Sequence, residues 1–409
     1  MRRVMLIAIA LVATIGVAAS TATAENGVTP KTITIGGTFP LTGPASGYAP
    51  IPGGMRAYFS YINARRGADG KRGVGGRQIV FKFYDDGYNP ANTVQLTRKL
   101  VEDDKVFAIV GQLGTAVGLS VRPYLNQMKV PQIFNASGAS QFGTGGAEFP
   151  WTIGWQPDYV AEGNLYGQNI AKYQPSEKIG VLYQNDDYGK DYLAGLKAGL
   201  GAAAANIASE QAYEVTTPSV ASQVAKLKAS GATVFVILAT PKFTIQSYAI
   251  AKALGWKPAK IYVNNVSATD TFMTTATKVA GAEIVNGSIS IAYAKDPANP
   301  KWNADPGMVL YNKVMSKYAP GANPKDALNL YGFGVAEAFV QVLARAGSNP
   351  TRASLMKAVL SMNSSSPFLL PGITQKTGPG DRFVLSQLRL QRYTDGTWTI
   401  IGPIVDGRK

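Results

Sequence analysis

The stretch GQLGT, residues 111–115, combines residue types and spacing that could do chemistry. An apolar run precedes it and a helical pattern follows, so a strand should end at Gly111 and a helix should begin at Gly114-Thr115, with Thr115 as its cap. Free N–H groups and the helix dipole favour negative charge at such a helix start. No Gly-Lys-Ser/Thr sequence is present, which excludes a phosphate-binding P-loop. The stretch predicts a binding site for a carboxylate at residues 111–115, which we call the carboxylate seat. A plain capped helix is the alternative.

A second cluster of small polar residues, FNASGASQFG at residues 134–143, follows the next apolar strand. The carboxyl ends of parallel strands share one edge of a sheet, and ligands of open α/β sheets bind at that edge. Small residues let the backbone approach a ligand closely. We therefore expect this loop to lie beside residues 111–115 and to contribute backbone groups.

Three aromatic residues lie on predicted turns: Tyr48, Trp155 and Tyr188. Aromatic side chains with a polar tip can line a pocket, and packing at a surface or hinge is the alternative for each. The glycine-rich stretch at residues 67–81 follows a helix and precedes a strand. A dinucleotide fingerprint needs the opposite order, so we interpret this stretch as a surface connection.

The chain contains no cysteine and no histidine, which removes several classes of chemistry. Ser-His-Asp and Cys-His catalysis are excluded, and the usual zinc and copper sites lose their ligands. A carboxylate-dependent hydrolase stays open as an alternative, but the composition favours a protein that is not an enzyme. We expect no cofactor, no metal and no disulfide.

The formal net charge is +15, or +13 without Arg2 and Arg3. Lysine and arginine are scattered, and no basic run extends beyond Arg65-Arg66. We therefore expect no nucleic-acid partner, and a positive field of this kind favours anionic solutes or an anionic membrane surface.

Residues 1–24 are interpreted as an export signal. Arg2 and Arg3 precede an apolar stretch at residues 4–19, and Ala-Thr-Ala at 22–24 is a cleavage site, so the mature chain should begin at Glu25. The apolar stretch is shorter than the roughly 20 residues that span a bilayer, which argues against a membrane anchor. Because no cysteine is available for lipid attachment, we predict a freely soluble periplasmic protein.

Strand and helix patterns alternate along almost the whole chain, and the pattern restarts after Pro157. Residues 89–111 and 217–239 share one layout, a proline-led amphipathic helix followed by an apolar strand. The predicted fold class is α/β, with two doubly wound parallel-sheet lobes. Three further helices are predicted at residues 302–318, 327–346 and 351–360, before an antiparallel pair joined by a turn at residues 394–396.

A series of stretches in this order resembles the periplasmic binding proteins for leucine, isoleucine and valine that serve ABC importers. The stretches are ITIGGTFPLTGPASGYA, GGMRAYFSYINARRG, YDDGYNPANTVQLTRKLVEDDKVFAIVGQLGTA and YGKDYLAGLKAGL. The resemblance implies a type I periplasmic binding protein with a ligand cleft between two closing lobes. Three crossovers are expected near Trp155, near Ile289 and just before Phe383. The implied domains are residues 25–155 with 290–382, and residues 156–289 with 383–409.

The resemblance also implies site residues. A hydroxyl after the third strand, here Thr115, holds a ligand carboxylate in relatives that bind α-amino acids. Tyr48 matches an aromatic of the first loop, and Tyr188 matches the cleft tyrosine of the second lobe. The next strand-end loop should contribute Ala136, Ser137, Gly138 and Ala139.

One departure concerns the ligand ammonium. Amino-acid binders carry an acidic residue where this chain has Asn264 and Asn265, and asparagine supplies no charge for a buried ammonium. Asp270 is a candidate substitute, and Pro241 stands where an aromatic is common. We expect Asn265 to face the ligand, and we expect an amino acid or an aromatic or aliphatic acid as cargo. The expected partner is an inner-membrane permease, the expected state a monomer, and a ligand-sensing receptor domain is the alternative function.

Overall fold

The computed structural model describes residues 25–67, 69–378 and 380–408. The predicted export signal at residues 1–24 lies outside the described residues. Within them the chain builds two large β-sheets, each flanked by helices, and we call these two units the first and second lobes.

The sheet of the first lobe has five strands, all parallel, in the order β2-β1-β3-β4-β5. β1 and β2 pair over their full length, from Thr32 opposite Gln78 to Phe39 opposite Asp85. The strands are β1 (Thr32–Phe39), β2 (Gln78–Asp85), β3 (Ile109–Val110), β4 (Gln132–Asn135) and β5 (Thr152–Gly154).

Helices of the first lobe come from two parts of the chain. The early ones are α1 (Pro50–Ala64), α2 (Pro90–Glu102), α3 (Thr115–Gln127) and α4 (Ser140–Gly143). The late ones are α11 (Pro306–Tyr318), α12 (Ala327–Arg345) and α13 (Arg352–Leu360), and α11 and α12 pack on α1. Among the described helices, α12 alone is long and apolar enough to cross a membrane, but 72% of its apolar window is buried, as in a core helix.

The second sheet repeats the order of the first. Its parallel strands run β7-β6-β8-β9-β10, which matches β2-β1-β3-β4-β5 position by position. This repetition confirms the prediction of two similarly wound lobes. The parallel strands are β6 (Ile179–Gln184), β7 (Ile207–Tyr213), β8 (Val234–Leu238), β9 (Lys260–Val263) and β10 (Ile289–Ala292).

Antiparallel strands extend this sheet beyond β10. They are β13 (Gln387–Thr394), β14 (Thr397–Ile400) and β15 (Val405–Asp406), whereas β11 (Asn363–Ser364) and β12 (Gln375–Lys376) form a separate pair. The predicted turn joins β13 to β14, and Asp395 and Gly396 both have positive φ there, 49° and 81°. Such paired angles fit the primed turns that match the twist of a hairpin.

Helices of the second lobe include three that the sequence patterns did not predict, α5, α9 and α10. The α5 backbone touches that of α6, because a Cβ on Gly163 would lie 2.3 Å from the carbonyl oxygen of Tyr192. Glycine at that position therefore permits the close packing. The helices are α5 (Tyr159–Tyr173), α6 (Asp187–Leu200), α7 (Ala221–Ala229), α8 (Pro241–Ala253), α9 (Asp270–Ala280) and α10 (Ala282–Val285).

Three chain segments connect the lobes. The first follows β5, and the third pairs with it, since Gly154 forms a parallel bridge with Phe383. The second follows β10, which runs to Ala292 within the second sheet, so the chain leaves that sheet three residues after Ile289. The domain boundaries themselves stay a prediction.

Candidate ligand-binding cleft

Both sheets have the same strand order, and this order predicts where a ligand binds. In a 2-1-3-4-5 sheet the connections leave the two sides of the first strand in opposite directions, and ligands bind at the carboxyl ends beside this switch point. Here the carboxyl-end loops of both sheets line one cavity, with a volume of about 140 Å³. Of the eight expected site residues, five line it: Tyr48, Thr115, Ala136, Tyr188 and Asn265.

Thr115 is buried, with 1% of its surface exposed, and it is the first residue of α3. The prediction that Thr115 caps this helix is wrong, because Gly114 occupies the cap position with a φ of 115° and makes no side-chain cap bond. The Thr115 hydroxyl instead lies 2.7 Å from the Ser137 hydroxyl, across two neighbouring strand ends. The first N–H groups of α3 have no intrahelical acceptors, so this helix start offers donors to an anion.

Ser137, Gly138 and Ala139 lie behind the wall of the cavity. The Ser137 hydroxyl that holds Thr115 also accepts a hydrogen bond from the Ala139 N–H at 3.1 Å. The Gly138 carbonyl accepts from the Tyr159 N–H at 2.7 Å, which ties this loop to the first crossover. These residues position the wall, and Ala136 is the member of the loop that lines the cavity.

Tyr48 and Tyr188 approach the cavity from opposite lobes. Tyr48 ends a short 3-10 turn after β1, and its ring meets Phe272 of α9 edge-on at 6.4 Å, so the lobes touch across the cleft. Tyr188 lies in the first turn of α6 and packs edge-on against Tyr159 at 5.2 Å. Burial raises the pKa of both phenols, so they stay neutral hydrogen-bond donors at physiological pH.

Sequence reasoning missed four further tyrosines that line the cavity: Tyr88, Tyr159, Tyr293 and Tyr331. The first three follow the carboxyl ends of β2, β5 and β10, and of these strands only β2 was predicted, so a sequence signal was available for Tyr88 alone, as the first aromatic residue after that strand. Tyr88 has a φ of 60°, a conformation rare outside glycine, and its N–H donates to Asp86 Oδ1 at 2.9 Å. This buried contact holds the Tyr88 backbone in place.

A hydrogen-bond chain crosses between the lobes next to the cavity. The Tyr331 hydroxyl of α12 donates to Gln156 Oε1 at 2.7 Å, and Gln156 Nε2 donates to the Tyr159 hydroxyl at 3.1 Å. Gln156 lies on the first crossover, beside Trp155, which also lines the cavity. The crossover therefore both joins the lobes and orients the phenols.

The side-chain amides of Asn264 and Asn265 are hydrogen-bonded within the protein. Asn265 Nδ2 donates to the Ile291 carbonyl at 2.8 Å, and the Asn265 N–H donates to Glu162 Oε1 at 2.7 Å. Asn264 is fully buried, and its amide meets the Tyr188 hydroxyl. Asp270, the candidate substitute, lines the same cavity at the start of α9, and its Oδ1 has no hydrogen-bond partner among the described residues.

Glu162 supports this wall from behind. It is 2% exposed, and besides Asn265 it accepts hydrogen bonds from the hydroxyls of Tyr166 at 2.6 Å and Tyr192 at 2.8 Å. Burial raises its pKa to about 7, against the lowering effect of these bonds. No sequence pattern pointed to Glu162, since it lies on the unpredicted helix α5.

Two similarly wound lobes that enclose a cavity between the carboxyl ends of their strands define a class, the two-lobed solute-binding proteins. The family model described as periplasmic binding protein matches residues 32–397, and the chain belongs to that family. Its members are solute-binding proteins that work with ABC transporters, not enzymes, and membership implies a periplasmic location.

The individual relatives described next have low sequence identity to this chain. The Leu/Ile/Val-binding protein homolog 3 of Brucella melitensis is 27% identical over 234 residues, which are 56% of this chain and 58% of the relative. A branched-chain amino acid ABC transporter protein of Thermus thermophilus with bound valine superposes with a TM-score of 0.76 at 17% identity, covering 92% of this chain and 96% of that one. A solute-binding protein of R. palustris in complex with 4-hydroxybenzoate gives 0.72 at 18% identity, with the same coverage of each chain. These superpositions show the fold.

Proposed function

We propose that the protein is the soluble periplasmic receptor of an ABC importer of the branched-chain amino acid type. In this proposal residues 1–24 are the cleaved export signal, and the cargo is a small carboxylate, an aromatic or aliphatic acid in preference to its α-amino relative. One observation carries the proposal: the buried Thr115 lies at a helix start in a tyrosine-walled cavity, where the position of the expected acidic residue is held by Asn265.

The carboxylate end of the cargo sits at the start of α3. The paired hydroxyls of Thr115 and Ser137 can orient a proton toward a bound oxygen, and the first backbone N–H groups of the helix add donors. A hydrogen bond to a charged group contributes about 1.5–3 kcal/mol. Loss of the Thr115 hydroxyl should therefore weaken binding about 10- to 150-fold.

The rest of the cargo meets aromatic walls. Tyr48, Tyr88 and Tyr188 remain neutral, because burial holds their pKa values well above 10. Such rings offer flat apolar surface with a polar tip, which suits a planar or branched acid. Relatives of this fold include one with bound valine and one with bound 4-hydroxybenzoate, so the fold accommodates either chemistry.

The amide at position 265 favours an acid without an α-ammonium. A buried ammonium that faces an amide alone keeps an uncompensated charge, which is costly in a protein interior. An α-amino acid would need a carboxylate from elsewhere on the wall, and Asp270 is the candidate. An α-amino acid therefore requires the Asp270 carboxylate as a partner for its ammonium group, whereas an acid without an ammonium group does not.

The two-lobed structure provides the basis for delivering the cargo to the permease. Closure around the cargo is stabilised by cross-lobe contacts such as Ser140 on α4, whose N–H donates to Asp191 Oδ2 on α6 at 2.7 Å. The closed form then docks as a monomer on the permease.

Calorimetric titration of matched acid pairs tests the proposal. Each pair differs only in the α-ammonium: 4-methylpentanoate against leucine, and 3-phenylpropionate against phenylalanine. We expect the acid of each pair to bind more tightly, Thr115→Val to weaken binding about 10- to 150-fold as derived above, and Thr115→Ser to retain it.

Tighter binding of the amino acids, lost in Asp270→Asn, would overturn the cargo preference. Absence of binding by every compound, or unchanged affinity in Thr115→Val, would overturn the carboxylate seat.

A further inference from the structure

The cavity contains a second group of polar side chains that the carboxylate seat does not use. We call it the distal cluster, and it consists of Asp270, Asp296 and Trp398. Asp270 begins α9, Asp296 follows the second crossover, and Trp398 lies on β14. All three line the cavity that Thr115 also lines, although they come from three distant parts of the chain.

Contacts around Trp398 relate the members of the distal cluster. The Tyr393 ring meets that of Trp398 at 5.2 Å between centroids, at an angle of 61°. Burial raises the pKa of the Tyr393 phenol, and the negative charges of Asp270 and Asp296 raise it further. Asn299 Nδ2 donates to the Trp398 carbonyl at 3.2 Å, and the Ala298 N–H donates to Asp296 Oδ1 at 2.9 Å, so the turn that begins at Asp296 lies against β14.

Two atoms of the distal cluster lack hydrogen-bond partners among the described residues. The Trp398 side chain is nearly buried, with 5% of the residue exposed, and its Nε1–H has no acceptor. Asp270 Oδ1 is buried and has no donor. A buried polar group without a partner costs about 1–3 kcal/mol, so a buried donor and a buried acceptor on two side chains that line one cavity point to a ligand group that meets both.

The charged side chains near the distal cluster limit which ligand group can bind there. Lys295, which also lines the cavity, is already paired, since its Nζ donates to Asp305 Oδ2 and to the Pro367 carbonyl, each at 2.7 Å. A second ligand carboxylate would accept from Trp398 but would be repelled by Asp270 and Asp296. An ammonium would satisfy the carboxylates but has no lone pair for the indole N–H. A hydroxyl donates and accepts through one oxygen.

We propose that the distal cluster is a hydroxyl subsite, so that the preferred cargo carries an alcohol or phenol in addition to its carboxylate. In the bound state the hydroxyl accepts from Trp398 Nε1–H and donates to Asp270. This inference rests on the proposed function, because the carboxylate seat at Thr115 sets the direction of the cargo in the cavity.

Titration of matched ligands tests the subsite. Benzoate, phenylacetate and 3-phenylpropionate provide three lengths, each used unsubstituted and with a para-hydroxy or para-aminomethyl group. At the length that fits, we expect the hydroxy compound to bind about tenfold more tightly than its parent, as one net hydrogen bond provides. In Trp398→Phe and in Asp270→Ala, which remove the proposed donor and the proposed acceptor, this preference should fall to about onefold.

Trp256→Phe is the matched control, because Trp256 is a buried indole of the same lobe whose Nε1–H already donates to the Ala232 carbonyl at 3.1 Å. It should leave the tenfold preference unchanged. Equal affinity of parent and hydroxy compounds at every length, or tightest binding of the aminomethyl compounds, overturns the subsite and leaves the proposed function standing. If no parent acid binds, the proposed function fails, and the subsite fails with it.

Discussion

The buried carboxylate of Glu162 lowers the free energy of unfolding when it is ionised. Replacing Glu162 with glutamine should therefore change how the stability of the protein depends on pH. Its carboxylate is buried behind the cleft and accepts from two tyrosine hydroxyls and the Asn265 N–H. Burial outweighs these bonds and raises the pKa from 4.5 to about 7. One pKa unit corresponds to about 1.4 kcal/mol, so ionised Glu162 costs the folded state about 3 kcal/mol.

The sign of the effect follows from proton binding. Because the folded pKa lies above the unfolded value, the folded state binds more protons than the unfolded state between pH 4.5 and about 7. The contribution of Glu162 to the free energy of unfolding is therefore greatest below pH 4.5, and it falls as pH rises to about 7. Glu162→Gln removes this term, so the variant should gain about 3 kcal/mol relative to wild type across the interval.

Urea denaturation at half-unit steps from pH 4 to 8.5 measures the difference. Glu210→Gln is the control, since Glu210 is a surface carboxylate of β7 that pairs with Lys197 at 2.8 Å. The control should lack the shift of about 3 kcal/mol that Glu162→Gln produces. A difference between wild type and Glu162→Gln that stays constant over the whole pH range would refute the reasoning.

Three further substitutions have expected outcomes. Gly138→Ala would bring a Cβ to 2.2 Å from the Pro157 carbonyl, so we expect a loss of about 1–3 kcal/mol in urea denaturation and weaker ligand binding. Gly114→Ala forces a φ of 115° on a residue with a Cβ, so stability should fall by about 1–3 kcal/mol, and an unchanged value would contradict the strain. Asp191→Asn weakens the cross-lobe bonds to Ser140, so small-angle scattering without ligand should detect a larger radius of gyration, and unchanged scattering would show that this contact does not hold the lobes together.

Local patterns in the sequence determined much of the fold. Apolar runs with β-branched residues and amphipathic helices with proline or asparagine at their starts depend on near neighbours, so the βα repeats and the C-terminal hairpin were predicted. The position of Thr115 at the start of a helix was also predicted, because a strand, a glycine turn and a helix start follow one another directly. The helices α5, α9 and α10 were missed. In α5 the reason is physical, because Gly163 and its neighbours look unfavourable for a helix until α6 packs against them.

Tertiary structure alone decided what surrounds the seat. The first and third crossovers pair through Gly154 and Phe383, which lie far apart in the chain, and no local pattern encodes such a contact. Association of the two lobes brings the loops of both sheets onto one cavity, where Asp270 and Trp398 line the same space as Thr115. Ala136 lies on the wall and Ser137 behind it, although they are neighbours in sequence. Sequence supplies the residue types at each strand end, whereas burial and distance, which decide their chemistry, arise only when the lobes meet.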